Sequence, residues 1–102
     1  MKLESNFQHK LIEELEKRYP GCYVLKNDAG YKRAVPDLLI LHKKHWAMLE
    51  VKKDRASLKK SLKENPNQAF YVNALNKMSY AAFIYPENKE EILNELDGRF
   101  CS

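Results

Sequence analysis

Two short apolar runs, Leu38–Leu41 and Trp46–Leu49, are separated only by the polar tetrapeptide His42-Lys43-Lys44-His45. Runs of that length and spacing predict two adjacent strands, and a chain built around such a hairpin is committed to a sheet. The tip contains no glycine, which predicts a looser connection than a two-residue turn. At the other end the apolar pattern breaks. Asp37 opens the first run, and Glu50 and Lys52 are set into the end of the second. Strand side chains alternate between faces, so Glu50 and Lys52 share a face with Met48. Asp37 can lie beside them if the hairpin pairs in register. Two carboxylates close together in an apolar setting are costly, because each loses solvation and each repels the other. A divalent cation between them removes the conflict. Mg²⁺ takes oxygen ligands, commonly one or two carboxylates with waters and a substrate phosphate. Lys52 would then be a fixed positive group beside a metal-bound water and a phosphate.

The remaining segments read around this hairpin. Ser5 with Gln8 three residues later has the form of a capping box, and Phe7, Leu11 and Leu15 follow at helical spacing with Ile12 on the flank. Pro20-Gly21 ends that helix near Tyr19. Cys22–Lys26 has strand composition, and a turn at Asn27–Gly30 leads into an exposed loop at Tyr31–Ala34. After the hairpin, Arg55–Glu64 is a basic helical stretch or loop. Asn65-Pro66-Asn67 punctuates it and starts a helix in which Phe70, Ala74, Leu75 and Met78 lie at helical spacing. Tyr80–Tyr85 reads as a fourth strand. Pro86 and Glu87 start a last helix with Ile92, Leu93 and Leu96 apolar and Gly98 as its C-terminal cap. The predicted order is αβββαβα: an α/β fold with a mixed central sheet flanked by helices, the third and fourth strands parallel across a helical crossover.

At 102 residues the chain is one domain, 1–102. No apolar run approaches the ~20 residues of a membrane span, and MKLESNFQHKL lacks the long apolar segment of a signal peptide. Cys22 and Cys101 form no metal motif and no disulfide framework, so a reducing, intracellular setting is expected. There are 18 Lys and Arg against 14 Asp and Glu, a net charge of +4. The excess is local: Lys52, Lys53, Arg55, Lys59, Lys60 and Lys63 crowd just after the second hairpin strand, whereas Glu87–Asp97 is acidic. A basic stretch suits phosphate contact, although a solvated face is the plainer reading.

One more carboxylate fits the same place. On a helical wheel Leu11 and Leu15 fall within about 20° of Glu4 and Phe7 about 60° from it. Glu4 therefore continues the inward face of the first helix, where it could meet the strand carboxylates. The alternative is a solvated acid that complements the helix dipole.

Pro36-Asp37 followed by Glu50-Val51-Lys52 resembles the PD-(D/E)XK nuclease superfamily. The wider set is similar to its small VRR-NUC branch: Glu4-Ser-Asn-Phe7-Gln8 opening the first helix, PDLLIL, LEVKK, and Gln68 in the next helix. The likeness runs from about Glu4 to Tyr85. E-x-K alone is common by chance, but PD and E-x-K on consecutive strands after a helix with an inward glutamate is specific. The resemblance implies the restriction-endonuclease-like core and a Mg²⁺- or Mn²⁺-dependent endonuclease. Asp37, Glu50 and the Val51 carbonyl would hold the metal, with Glu4 joining directly or through water. Lys52 would act on the water, and Gln68 would orient the lysine or a phosphate.

Stand-alone members of that branch come from phages or bacteria, form homodimers and cut branched DNA. This implies a bacterial cytoplasm, a double-stranded or branched DNA partner such as a Holliday junction, and no membrane. Lys32, Arg33, Lys53, Arg55, Lys59 and Lys60 are the candidates for contacting nucleic acid. One departure is visible: many relatives carry glycine shortly before the PD, and here the residues are Arg33-Ala34-Val35. A module on the same fold that binds nucleic acid without cutting, a restriction-type enzyme and an RNA-cutting nuclease are the alternatives. His42 and His45, at a polar tip without carboxylate support, are not expected to hold a metal.

Overall fold

A computed structural model describes residues 3–27 and 34–101, with the backbone alone for Leu3 and Glu4. In chain order it contains α1 (Leu3–Arg18), β1 (Tyr23–Lys26), β2 (Leu38–His42), β3 (His45–Val51), α2 (Arg55–Glu64), α3 (Pro66–Met78), β4 (Tyr80–Ile84), a 3₁₀ turn (Pro86–Asn88) and α4 (Lys89–Phe100). The four strands form one mixed sheet in the order β1-β2-β3-β4. The first two pairings are antiparallel, and β3 pairs with β4 in parallel. This is an α/β fold with helices on both faces. Among the described residues no helix is long and apolar enough to cross a membrane.

Alternation along the strands sorts the side chains. Leu38 and Ile40 of β2, Ala47, Leu49 and Val51 of β3, and Tyr80 and Ile84 of β4 point to one face. There they pack with Leu11 and Leu15 of α1 and with Ile92, Leu93, Leu96 and Phe100 of α4. Each fully buried leucine of this core contributes about 2 kcal/mol by its removal from water. Arg18 at the end of α1 makes two hydrogen bonds to the Asp97 carboxylate, 2.9 and 2.6 Å, which tie the two helices of this layer. On the other face α3 packs over β3 and β4, burying Val72.

Several expectations are corrected. Ser5 lies inside the first turns of α1, since the helix already runs from Leu3. The crossover holds two helices, not one, because Asp54 caps α2 with a 2.7 Å bond from the Ser57 N–H and thereby makes the basic stretch a helix of its own. Gly98 does not end α4. The helix continues because Phe100, 3 % exposed, seats its ring edge-on against Tyr19 at 5.0 Å. Phe70 and Met78 share helical spacing, yet they are 67 % and 72 % exposed: the sheet touches the Val72 side of α3 instead.

The hairpin tip is also tighter than expected. His42 pairs with His45, leaving Lys43-Lys44 as a two-residue turn, and Lys43 takes φ 57°. His42 and His45 turn inward, with ring centroids 5.6 and 6.2 Å from that of Phe100. The aromatic packing, which the tip sequence does not reveal, holds the turn closed without glycine.

Ala34 has φ 69°. Like Lys43 it occupies the left-handed region, where a Cβ costs about 1 kcal/mol. Ala34→Gly and Lys43→Gly are each expected to raise stability, by up to about 1 kcal/mol after the extra freedom of glycine in the unfolded chain is subtracted. Thermal or urea unfolding of the two variants checks this.

Candidate active site

The hairpin places the charged residues. Leu38 pairs with Leu49, so Asp37 and Glu50 stand opposite each other one step beyond. Across an antiparallel pair such positions bring Cβ atoms to about 5 Å. Pro36 is fully buried and anchors the entry to β2. The Val51 N–H donates to Asp37 Oδ2 at 2.9 Å, which fixes the carboxyl against β3. Glu50 is 4 % exposed. Its face of the sheet carries Met48 and Trp46 behind it, so it meets little water.

Lys52 follows on the same face. Its backbone N–H donates to the Ile84 carbonyl at 2.9 Å, which fastens this end of the chain to β4. Its Nζ donates to Gln68 Oε1 at 2.9 Å and lies 3.4 Å from Glu50 Oε2. Gln68 is in the first turn of α3, where its N–H donates to the Asn65 carbonyl. A helix from the crossover thus reaches down to hold the lysine at the strand end. The side chain of Lys52 is only a tenth exposed. A buried ammonium with an amide oxygen and a carboxylate as partners is held in one position rather than swinging in solvent.

Burial pushes the Glu50 carboxyl up to about 7, and the neighbouring Asp37 charge pushes the same way, against the pull of Lys52. Asp37 is also held above its ordinary value, chiefly by burial, with the Val51 N–H and Lys52 opposing. Two raised carboxyls facing each other across a hairpin are a site under electrostatic tension. Such a donor set fits a hard divalent cation: two carboxylates, each with one oxygen outside the bonds just described. Among the described residues no group of three or more His, Cys, Asp or Glu side chains forms a metal cluster. A cation here would rely on the two strand carboxylates, water and groups such as the Val51 carbonyl.

A cleft of about 270 Å³ opens beside this cluster, lined by Ala34, Glu64, Asn65 and Gln68 among others. Gln68 is therefore shared between the cleft and Lys52. Ala34 and Asn65 were not anticipated as lining residues, and the only signals for them were the position before Val35-Pro36 and the Asn-Pro-Asn breaker. Lys53 just before α2, Arg55 at its start and Lys59 and Lys60 at its middle are all exposed, beginning one residue beyond Lys52. The Arg55 guanidinium stands 6.0 Å from the ring centre of Tyr85.

The structure brings Asp37, Glu50, Lys52 and Gln68 together. Glu4 has its backbone in the first turn of α1, and its side chain lies outside the described residues, as do Lys32 and Arg33 altogether. Comparison with family models, with curated proteins and with solved structures finds no match to this chain.

Proposed function

We propose that the chain is a metal-dependent endonuclease on a PD-(D/E)XK core, hydrolysing phosphodiester bonds of DNA. The observation that carries the reading is the buried Lys52 held at 2.9 Å by Gln68 beside the facing carboxyls of Asp37 and Glu50. A plain structural ion pair needs one carboxylate beside the ammonium, whereas a divalent cation is commonly held by two. The order of elements, a helix before three consecutive strands and a helical crossover to a parallel fourth, supports the same reading.

Asp37, Glu50 and the Val51 carbonyl would hold Mg²⁺ or Mn²⁺, with Glu4 as an additional ligand. When bound, such an ion acidifies a water and neutralises phosphate charge. Lys52 positions that water or a phosphate oxygen and stabilises charge that grows at phosphorus. Gln68 keeps the lysine from collapsing fully onto Glu50. The exposed cations of α2, with Lys53, hold the flanking backbone, so binding weakens steeply with salt. Branched DNA such as a Holliday junction is the substrate the resemblance implies, cut by a homodimer in a bacterial cytoplasm.

The test is a cleavage panel of junction, flap, nicked and intact duplex, single strand and RNA, with Mg²⁺ or Mn²⁺. Cutting of the DNA members is expected, and Asp37→Ala should abolish it while leaving the fold intact. No cutting of any substrate, with metal-independent binding retained, would make the chain a binding module instead. A preference for RNA would reassign the substrate.

A further inference from the structure

Three of the four phenylalanines are buried or half-buried, whereas Phe70 is 67 % exposed. One exposed ring is ordinary on a protein surface. The helices around this one set it apart. α3 contains no aspartate or glutamate, and α2 and α3 together hold Arg55, Lys59, Lys60, Lys63 and Lys77 against Glu64 alone. The two helices touch and are joined by the single residue Asn65. No residue of α2 is buried, so its cations stand in solvent.

At 100° per residue Val72 lies about 40° from Gln68, and these two mark the side of α3 that meets the sheet. Phe70 lies about 200° from Gln68, on the outer side. Lys77 is only about 20° from Phe70 and about 10 Å further along the axis. Asn67 and Asn73 flank the ring, each one turn away and about 60° around. All three flanking residues are exposed. Tyr71 stands at 82° to the Phe70 ring with centroids 5.8 Å apart, which braces the ring. At 67 % exposure at least one face of it is open.

We infer that Phe70 is a stacking platform for an unpaired base, so that the substrate carries a single-stranded segment. An aromatic face among cations, on a helix without carboxylates, is the combination that holds single strands. Lysines take the backbone and the ring takes a base. An intact duplex supplies no such base, because each base face is covered by its neighbours in the stack. The amides of Asn67 and Asn73 both donate and accept, which suits base edges. An acidic peptide would meet the lysines, but its carboxylates only accept. Gln68 holds Lys52 on one side of α3 and Phe70 faces out on the other, so the stacked base lies about 10–12 Å, one helix diameter, from the lysine. The inference rests on the nuclease reading for its choice of polymer, but its observable is binding without metal.

The experiment measures binding in metal chelator of a short oligothymidylate carrying one fluorescent purine, and of a long duplex. The wild type should bind both and quench the purine. Phe70→Ala should weaken single-strand binding about tenfold or more, the scale of one stacked base, and leave duplex binding within about twofold. Phe70→Trp should keep both affinity and quenching. If Phe70→Ala loses its native circular dichroism, Phe70→Leu, which keeps bulk without a flat face, should show the same selective loss. Equal losses on strand and duplex overturn the inference. So does an unquenched purine, or a strand affinity that Phe70→Ala leaves unchanged. A poly-glutamate peptide whose binding depends as strongly on Phe70 would mark a protein-docking face and overturn it as well. Cleavage by a protein that fails these tests leaves the nuclease reading standing, and a protein that stacks bases but cuts nothing removes that reading alone.

Discussion

Lys52→Ala is expected to lower turnover by about 10²–10³-fold, the scale of removing one fixed electrostatic group from a reacting centre. It should do so with the cation affinity intact, provided the affinity is measured at the right pH. Lys52 lies 3.4 Å from Glu50 and opposes the upward pressure on its carboxyl. Without the lysine, that carboxyl titrates higher still, and protons compete with the metal near neutrality. At a pH high enough to ionise Glu50 in both proteins, Mn²⁺ titration should then give matching affinities. An affinity lost at high pH as well would place Lys52 in the folding of the site and not in its chemistry. Gln68→Ala, which releases Nζ from its 2.9 Å partner, should give a smaller loss of turnover in the same direction.

Glu50→Gln is expected to stabilise the protein while ending its activity. The Glu50 carboxyl titrates at about 7 in the folded protein, against an ordinary value of 4.5. A group whose pKa is raised by folding favours the fold while protonated. That contribution is complete below about pH 4.5 and is lost as pH rises through about 7. At about pH 8 the wild type therefore carries a buried charge beside Asp37 that costs on the order of 2–3 kcal/mol. Glutamine has the same shape without the charge, and its oxygen can still accept from Lys52. In metal chelator, its melting temperature should exceed that of wild type at about pH 8, with the gap closing near pH 5. Adding Mn²⁺ should stabilise the wild type more at pH 8 than at pH 6 and leave Glu50→Gln unmoved. A variant melting below wild type at high pH would show that Glu50 is held by its partners more than it is strained.

The parts of the fold that follow from period were readable in the sequence. Strand alternation put Glu50 and Lys52 on one face, and Leu11 and Leu15 marked the buried side of α1, because both depend only on positions along one element. The clamp between Gln68 and Lys52 was anticipated from the family resemblance alone, since it requires α3 to be docked. What failed were inferences in which a distant residue decides. Gly98 looks like a stop, but Phe100 keeps the helix going by reaching the Tyr19 ring. The tip looked too poor in glycine for a two-residue turn, but packing against Phe100 compensates for the left-handed Lys43. Phe70 and Met78 have the spacing of a buried stripe, and spacing does not say which side of a helix meets the sheet. The glycine missing before the PD is a related case. Ala34 takes a left-handed backbone that favours glycine, and its residue type does not announce it.

The parallel pairing of β3 with β4 sets an order on how the site comes into being. Asp37 and Glu50 sit on strands joined by a two-residue turn, and closing so short a loop costs little entropy. Lys52 meets Gln68 only when the crossover has folded back and β4 has paired, a contact of greater sequence separation and slower formation. The opposed carboxylates therefore come together early, on a hairpin whose lysine is not yet held by Gln68. Burial of the two carboxyls, the main cause of their raised pKa, comes with the docking of α3, the same event that brings Gln68 to Lys52.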